Sequence, residues 1–391
     1  MEVKQIYQIA NIMHEEVTGL SVIMEEDLSN VVEYGQDILN TGNVDNYVRK
    51  LPDVIGRVIF VDRLYVGAMP SMVRDSWEYG SILEKVSMNP PEAVQNDSWD
   101  LESGTSYDPN IFTAPSIRAR FWDKRVTFEI DMSITEDQIK SAFSSAAQLN
   151  GFLSMIATGI QNRFTVDTDS LALSAIRNMI GETIWDEYES SGSLGSLSGS
   201  SGVRAVNLLY LYNNGPNAGG TALTAAKALT NADFIRFASM TMANYINRLK
   251  YMSTLFNIDG AERFTPADRL RAILLADFKN AAGAYLQSDT FHNEYTALPN
   301  ADAVPYWQGS GVGYALADTA AIDVVTSEGH DVAASYILGV MFDQDAMGIS
   351  NLDRRTTTQY NAKAEFWNQF HKLLCGVWND PAENFVVFFA A

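Results

Sequence analysis

The feature that most constrains this chain is a long helical pattern over residues 136–179. The stretch contains no proline, and its apolar side chains recur every three or four residues, the spacing of one helix face. Thr135 predicts the N-terminal cap and Gly181 predicts the end of the helix. At about 1.5 Å per residue, such a helix would be roughly 60 Å long. The stripe consists of Ile139, Phe143, Ala146, Leu149, Phe152, Leu153, Ile156, Ile160, Phe164, Leu171, Ala175 and Met179.

Two details of this helix stay open at the sequence level. Its length is about three to four times that of a usual globular helix, so a short break over residues 165–169 is the alternative. Gly151 and Gly159 are eight residues apart and share one helix face. Because glycine lowers helix propensity but lets another backbone approach closely, we predict that these two glycines mark a packing contact of the helix.

Composition limits the class of protein. The 391 residues are 47% hydrophobic, which is enough for a substantial core and more than one domain. The net charge of −21 argues against a nucleic-acid reader, which needs a basic face, but does not exclude a protein that lies beside nucleic acid without binding it. The single cysteine, Cys375, predicts buried packing. No apolar run is as long as a membrane helix and no signal peptide opens the chain, which predicts a reducing, cytoplasm-like compartment and no membrane.

The order of patterns along the chain predicts an α+β protein of several parts. The pattern over residues 1–50 predicts amphipathic helices with too little apolar surface to fold alone, and a β-branched strand is predicted to begin near residue 54. Residues 189–202 are rich in glycine and serine and predict a flexible linker. Beyond it, we predict a strand over 206–212, a helix over 233–256, short strands over 271–276 and 320–326, and further strands from residue 337 onwards.

A long two-stranded projection is predicted between residues 71 and 130. Two strands, 71–86 and 117–130, flank a loop rich in turn formers, and a loop of that length usually binds something. The loop carries acidic side chains and no basic one, whereas the returning strand is basic. An isolated hairpin is marginal in water, so we expect the projection to lie on another subunit. The candidate inter-subunit residues are Arg118, Arg120, Lys124 and Arg125 on the strand, and Asp97, Asp100, Glu102 and Asp108 in the loop.

The alternative for these charges is that the basic residues form the solvated face of an amphipathic strand. The hypothesis we carry forward is that one or more of them meets acidic groups of an adjacent subunit. An exposed ion pair is worth only about 0 to 1 kcal/mol and is screened by salt, but its effect would be repeated in every copy.

No pattern in the sequence requires catalysis, a metal or a cofactor. The four histidines lie far apart, and none has a second ligand-type residue at metal spacing. Residues 343–348 begin like a calcium loop but lack later oxygen ligands, which favours a turn at a strand end. Residues 309–313 are rich in glycine but match no phosphate-binding motif. The aromatic run at the C-terminal end favours core or interface packing over a ligand site.

Several stretches resemble a known family, the tailed-bacteriophage major capsid proteins with the Hong Kong ninety-seven phage fold. The resemblance is closest to the phi-twenty-nine-like podophage group, and each matching stretch is a degenerate pattern without catalytic residues. The stretches are L-P-D-V-I-G-R-V-I-F-V-D-R at 51–63, D-P-N-I-F with R-A-R-F within 108–121, I-T-E-D-Q-I-K-S-A-F at 134–143, L-F-N-I-D-G at 255–260 and W-N-D-P-A-E-N-F-V-V-F-F at 378–389.

The resemblance implies a division of the chain into the parts of a capsid subunit. Residues 1–53 would be the N-terminal arm and 74–130 the extended β-hairpin called the E-loop. Residues 54–73, 131–190 and 337–391 would form the peripheral domain with its long spine helix, and 191–336 the axial domain. The C-terminal immunoglobulin-like domain of some relatives would be absent.

The function implied is that of a major capsid protein, which is a structural protein and not an enzyme. Pentamers and hexamers would form the icosahedral or prolate head shell around double-stranded DNA, without sequence-specific binding. Assembly in the host bacterial cytoplasm would use a portal protein and a separate scaffolding protein, with no trimming of the arm, since only about fifty residues precede the E-loop. The alternatives are an encapsulin-like shell, whose particles would hold protein cargo, and a soluble enzyme, which would be a monomer or small oligomer.

Overall fold

The computed structural model describes most of the chain from residue 72 onwards. Three of the predicted features lie outside the described part: the N-terminal arm expected over residues 1–53, the strand expected near residue 54 and the glycine-rich residues 309–313. The described residues are 72–75, 83–88, 90–91, 93, 96–107, 110, 112, 114–142, 146–287, 301–308 and 315–391.

Within these residues the structure is a mixed α+β fold with several sheets, as predicted. The strands are β1 Val73–Asp75, β2 Leu83–Met88, β3 Ile117–Trp122, β4 Arg125–Thr135, β5 Glu189–Ser190, β6 Ser193–Leu194, β7 Ala205–Asn207, β8 Leu270–Leu275, β9 Ala301–Val304, β10 Ile322–Val325, β11 Asp331–Ala334, β12 Ile337–Asp343, β13 Met347–Asn361, β14 Phe366–Asn379 and β15 Phe385–Phe389. The α-helices are α1 Glu136–Ala142, α2 Ala146–Tyr188, α3 Leu208–Asn214, α4 Ala232–Leu249, α5 Ala276–Gln287 and α6 Leu316–Thr319.

The chain divides into two compact units, of which the first contains residues 1–78, 125–172 and 349–376. Its described part is built on a four-stranded sheet in the order β1-β13-β14-β4, in which β4 and β14 pair antiparallel along their length. Alternate residues of β14 are buried, which confirms Cys375 as a packing residue. Burial raises the pKa of the Cys375 thiol to about 12 and lowers that of His371 to about 4.

The second unit contains residues 79–124, 173–348 and 377–391. Its centre is a five-stranded sheet in the order β7-β15-β12-β8-β9, in which every residue of β12 and β15 is buried. The C-terminal aromatic residues are therefore core packing, as predicted, and Phe388 meets Tyr245 of α4 edge-on at 5.2 Å. A three-residue turn, 344–346, joins β12 to β13, which confirms a turn over residues 343–348.

Two boundaries in this unit differ from the predictions. The strand predicted over 206–212 is wrong: β7 ends at Asn207, whose side chain accepts a hydrogen bond from the Tyr210 backbone N–H and starts helix α3. Asn231 caps α4 in the same way through the Phe234 N–H. That helix ends at Leu249 rather than 256, and the residues beyond it include an exposed Met252.

The long helix is present and lacks the alternative break over residues 165–169. The hydroxyls of Thr165 and Thr168 donate to carbonyls four residues earlier, at 2.9 and 2.8 Å, so these threonines are satisfied within helix α2. Thr135 caps the short helix α1 that precedes it, in a reciprocal pair of hydrogen bonds with Gln138. Residues 143–145, between the two helices, lie outside the described part.

Gly181 does not end the helix, which continues to Tyr188. The prediction is wrong because Gly181 serves packing: a Cβ there would lie 2.9 Å from Thr326 Cγ2 and 3.0 Å from Val324 Cγ2. These methyl groups belong to the β10–β11 hairpin, which approaches the helix where no side chain intervenes.

The glycine-serine segment after the helix is held against the helix end and is not a free linker. Gly195 N–H donates to the carbonyl oxygen of Tyr188 at 2.8 Å, and the Tyr188 hydroxyl meets Ser200 and Ala205 carbonyls. Arg204 pairs with Asp186 and Glu187 of the last helical turn, at 2.6 and 3.1 Å. The segment belongs to the same compact unit as the residues that follow it.

Candidate subunit-contact surface

The predicted projection contains an antiparallel hairpin, β2–β3, whose two faces differ in chemistry. Lys85 lies opposite Arg120, and Val86 lies opposite Ala119. Because neighbouring residues of a strand point to opposite faces, the register separates the side chains into two sets. We call them the inner face, Lys85, Ser87, Arg118, Arg120 and Trp122, and the outer face, Glu84, Val86, Met88, Ile117, Ala119 and Phe121.

The inner face is joined to its own chain by Lys85. Its Nζ lies 2.7 Å from Asp380 Oδ2 and 2.8 Å from Glu383 Oε1. The Asp380 side chain is only 2% exposed, and a buried carboxylate that loses a cationic partner destabilises the fold. Arg263 adds a second cation, with Nε 3.2 Å from Glu383 Oε1. The pairing therefore anchors β2 to the turn between β14 and β15.

The predicted basic residues Arg118 and Arg120 also meet acids within the chain. Arg120 hydrogen-bonds to Asp259, and its Nη1 lies 3.5 Å from Asp380 Oδ1. Arg118 is more exposed, and its Nη1 lies 3.9 Å from Asp259 Oδ2. At the end of β3, Trp122 Nε1 donates to the Asn379 carbonyl oxygen at 3.0 Å.

The acids are positioned by two loops that bind each other. The backbone N–H groups of Ile258 and Asp259 both donate to the carbonyl oxygen of Pro381, at 3.0 and 3.2 Å. The carboxylate of Asp380 accepts the Ala382 N–H at 3.0 Å, which fixes its orientation. These contacts hold acidic side chains from the 255–260 and 378–384 segments beneath the hairpin.

The outer face is apolar and open. Val86 and Ile117 are each 61% exposed, Phe121 is 62% exposed, and Met88 lies beside them. Of the outer-face residues, only Glu84 is charged. A contiguous exposed apolar surface marks an interaction site more often than a solvent face.

The described part of the loop beyond the hairpin also has exposed aromatic side chains. Trp99 is 97% exposed in a 3₁₀ turn that includes Asp97, and Phe112 is 86% exposed. Asp100 and Glu102 are exposed, as the predicted acidic tip requires. The fourth predicted acid, Asp108, lies outside the described residues.

The remaining predicted residues are placed as follows. Lys124 and Arg125 are exposed at the start of β4. Gly159 is exposed, and among the described residues no atom lies within 4 Å of a Cβ built there. The surroundings of Gly151 lie outside what the structure describes. The proposed inter-subunit and helix-packing roles of these residues remain predictions.

Sequence reasoning missed Lys85 and all three acids that the inner face meets. Strand alternation did carry a signal, because I-R-A-R-F-W places both arginines on one face and Ile117, Ala119 and Phe121 on the other. The partners Asp259 and Asp380 carried none, because they are distant in sequence and become neighbours only in the folded unit.

Comparison with known proteins identifies the family. The profile of the Phi29-like phage major capsid protein family matches residues 6–389, nearly the whole chain. The chain belongs to this family, and a structural role in a phage capsid follows from that membership. Within the parts of the chain that the structure describes, no helix is both long and apolar enough to cross a bilayer.

Individual relatives are more distant. The major capsid protein of Bacillus phage GA-1 is 26% identical over 145 residues, which is 35% of this chain and 28% of that protein. A chain from the capsid structure of Staphylococcus phage Andhra is 7% identical with a TM-score of 0.49, covering 84% of this chain and 85% of that one. A chain from the mature capsid of bacteriophage PhiM1 is 8% identical with a TM-score of 0.45, covering 84% and 88%.

Proposed function

We propose that the chain assembles into a closed head shell around double-stranded DNA, and that the outer face of the β2–β3 hairpin contacts a neighbouring copy. The contact with a neighbouring copy is supported by the contrast between the two faces of the hairpin. The inner face uses its charges within the chain, whereas Val86, Met88, Ile117 and Phe121 meet solvent in a single copy. Burying such side chains contributes about 25 cal/mol for each Å² of apolar surface removed from water.

The occupant of this face is a second copy of the chain. A capsid is built from many copies of its major protein, so each copy needs surfaces that stay unsatisfied until a neighbour arrives. Contacts that close both fivefold and sixfold rings are heterologous, which means that the covering surface lies elsewhere on the neighbour.

The other parts of the proposal concern partners and location. The chain would form pentamers and hexamers in the virion, after assembly in the host bacterial cytoplasm with separate scaffolding and portal proteins. Its role is structural rather than catalytic. The net charge of −21 supports packaging of DNA without sequence-specific binding, because an acidic wall does not hold the phosphate backbone.

The division into parts is proposed from family membership. Residues 1–53 would be the N-terminal arm and 74–130 the E-loop. The peripheral domain would comprise 54–73, 131–190 and 337–391, and the axial domain 191–336.

The proposal is tested by assembly of full-length chains, examined by electron microscopy and sedimentation. The variant Ile117→Ser with Phe121→Ser is expected to fold but to lower the yield of closed particles at least tenfold. Tyr251→Ser, which truncates another exposed aromatic side chain of the same unit, is the matched control. A wild-type yield of closed particles from the double variant would contradict a contact through the outer face. Wild-type particles containing protein cargo instead of DNA would indicate an encapsulin-like shell, and a small oligomer would contradict shell formation.

A further inference from the structure

A cluster of metal-ligand side chains forms where helix α2 meets the β10–β11 hairpin. Glu182 comes from the helix, and Glu328 and His330 come from the turn that joins the two strands. One ligand atom from each residue lies within 4.8 Å of the other two. Glu328 lies two residues before His330 in the sequence, and the fold brings the distant Glu182 to both of them.

We propose that Glu182, Glu328 and His330 bind one divalent transition-metal ion of the zinc class. An imidazole nitrogen with two carboxylates suits Zn²⁺ and similar ions, whereas Mg²⁺ and Ca²⁺ prefer oxygen ligands alone. Three protein ligands leave one tetrahedral position for water.

The distance between the ligand atoms of Glu182 and His330 fits a shared metal ion better than a direct hydrogen bond. Glu182 Oε2 and His330 Nδ1 are 3.4 Å apart. An N–H···O hydrogen bond is shorter, at about 2.7 to 3.2 Å. Two ligand atoms each about 2.0 to 2.1 Å from a tetrahedral zinc lie about 3.3 to 3.4 Å apart, which matches the observed separation.

The ligands are held in place by contacts that leave the coordinating atoms available. Glu182 Oε1 accepts the Glu328 backbone N–H at 3.1 Å, so Oε2 is directed towards the histidine. Asn178 Oδ1 accepts the Ser327 N–H at 2.7 Å and fixes the turn to the helix. The His330 ring stacks on Trp185 with centroids 4.3 Å apart, which sets the plane of the imidazole. Such support around the ligands strengthens metal binding.

The surrounding charge also favours a cation. The cluster lies in a cleft of about 650 Å³ whose lining includes Asp186, Glu189 and Asp259 as well as the two glutamates. The arginine of this cleft, Arg120, is paired with Asp259. Burial raises the pKa of Asp186, and the nearby Glu187 and Glu182 raise it further while Arg204 lowers it. A bound cation would reduce the electrostatic repulsion between Asp186 and its acidic neighbours.

The site is tested on the untagged, full-length, unassembled chain after removal of metal by chelation, so the result does not depend on shell formation. Dialysis against Zn²⁺ followed by elemental analysis is expected to give one ion per chain. A free concentration about a hundredfold above Kd should raise Tm by at least about 3 °C, and Mg²⁺ at the same concentration should not.

Variants locate the ion. His330→Gln and Glu182→Gln should each lose the bound zinc and the rise in Tm; the glutamine at 182 still accepts the backbone hydrogen bond. Asp323→Asn is the matched control, because it lies in the same hairpin, outside the cluster, and removes one negative charge as Glu182→Gln does. It should retain both the bound zinc and the rise in Tm.

The visible absorption spectrum of bound Co²⁺ tests the site without a variant. Co²⁺ bound to the unaltered chain should show the intense visible bands of a tetrahedral site and lose them on addition of Zn²⁺. Absence of bound metal in the wild-type chain, or equal binding by His330→Gln, would overturn the proposal.

Discussion

The two faces of the β2–β3 hairpin share one backbone but are stabilised differently. On the inner face, Lys85 and Arg120 reach acids that lie far away in the sequence and close in the folded unit. On the outer face, Val86 and Phe121 are exposed in the single chain. Charges therefore orient the hairpin within a copy, while the apolar surface stays exposed and is the one we propose for contact between copies.

This division changes the interpretation of the basic strand. Charge order alone favoured pairing of Arg118 and Arg120 with an adjacent subunit. In the folded unit both arginines lie near Asp259, and the apolar side chains are the ones left open. Apolar contact is also less sensitive to ionic strength than an exposed ion pair.

The largest change in the stability of a single chain is expected at Lys85 on the inner face, and its neighbour Glu84 on the outer face is the matched control. Lys85→Gln should lower the free energy of unfolding by about 1 to 3 kcal/mol, because it leaves Asp380 and Glu383 with fewer cations. Glu84→Gln, on the exposed outer face, should change it by less than about 0.5 kcal/mol. Urea unfolding of unassembled chains measures both, and equal effects would mean that the two faces do not differ.

A smaller effect is expected for Arg118, the most exposed cation of the inner face. Arg118→Glu should cost about 0 to 1 kcal/mol at low salt, because its pair with Asp259 is long and exposed, and high salt should remove the difference. Shell yield over the same range of ionic strength tests the inter-subunit charge hypothesis, with Lys124→Glu as the companion variant. Wild-type yields from both variants at low salt would contradict that hypothesis.

Local features were the most predictable from sequence. Helix α2 followed from the spacing of Ile156, Ile160 and Phe164, all of which are buried, and the cap at Thr135 followed from its neighbours. Strand alternation and a turn-rich loop predicted the hairpin before any tertiary contact was known.

Features that depend on distant residues were not predictable. Gly181 looked like a helix end because the sequence does not show that Thr326 packs against it. By contrast, the strand predicted over 206–212 was wrong for a local reason, because Asn207 caps helix α3 by accepting the N–H of Tyr210, only three residues later. The proposed metal ligands Glu182 and His330 are separated by 148 residues, so only the fold brings them together.

The central claim is that the outer face becomes buried when copies assemble, and hydroxyl-radical footprinting tests it most directly. Met88 and Phe121 are exposed in the single chain and should be oxidised readily there, with free methionine added to calibrate the radical dose. In assembled shells, oxidation at both residues is expected to fall at least about fivefold. Equal oxidation of Met88 and Phe121 in shells and single chains would contradict it.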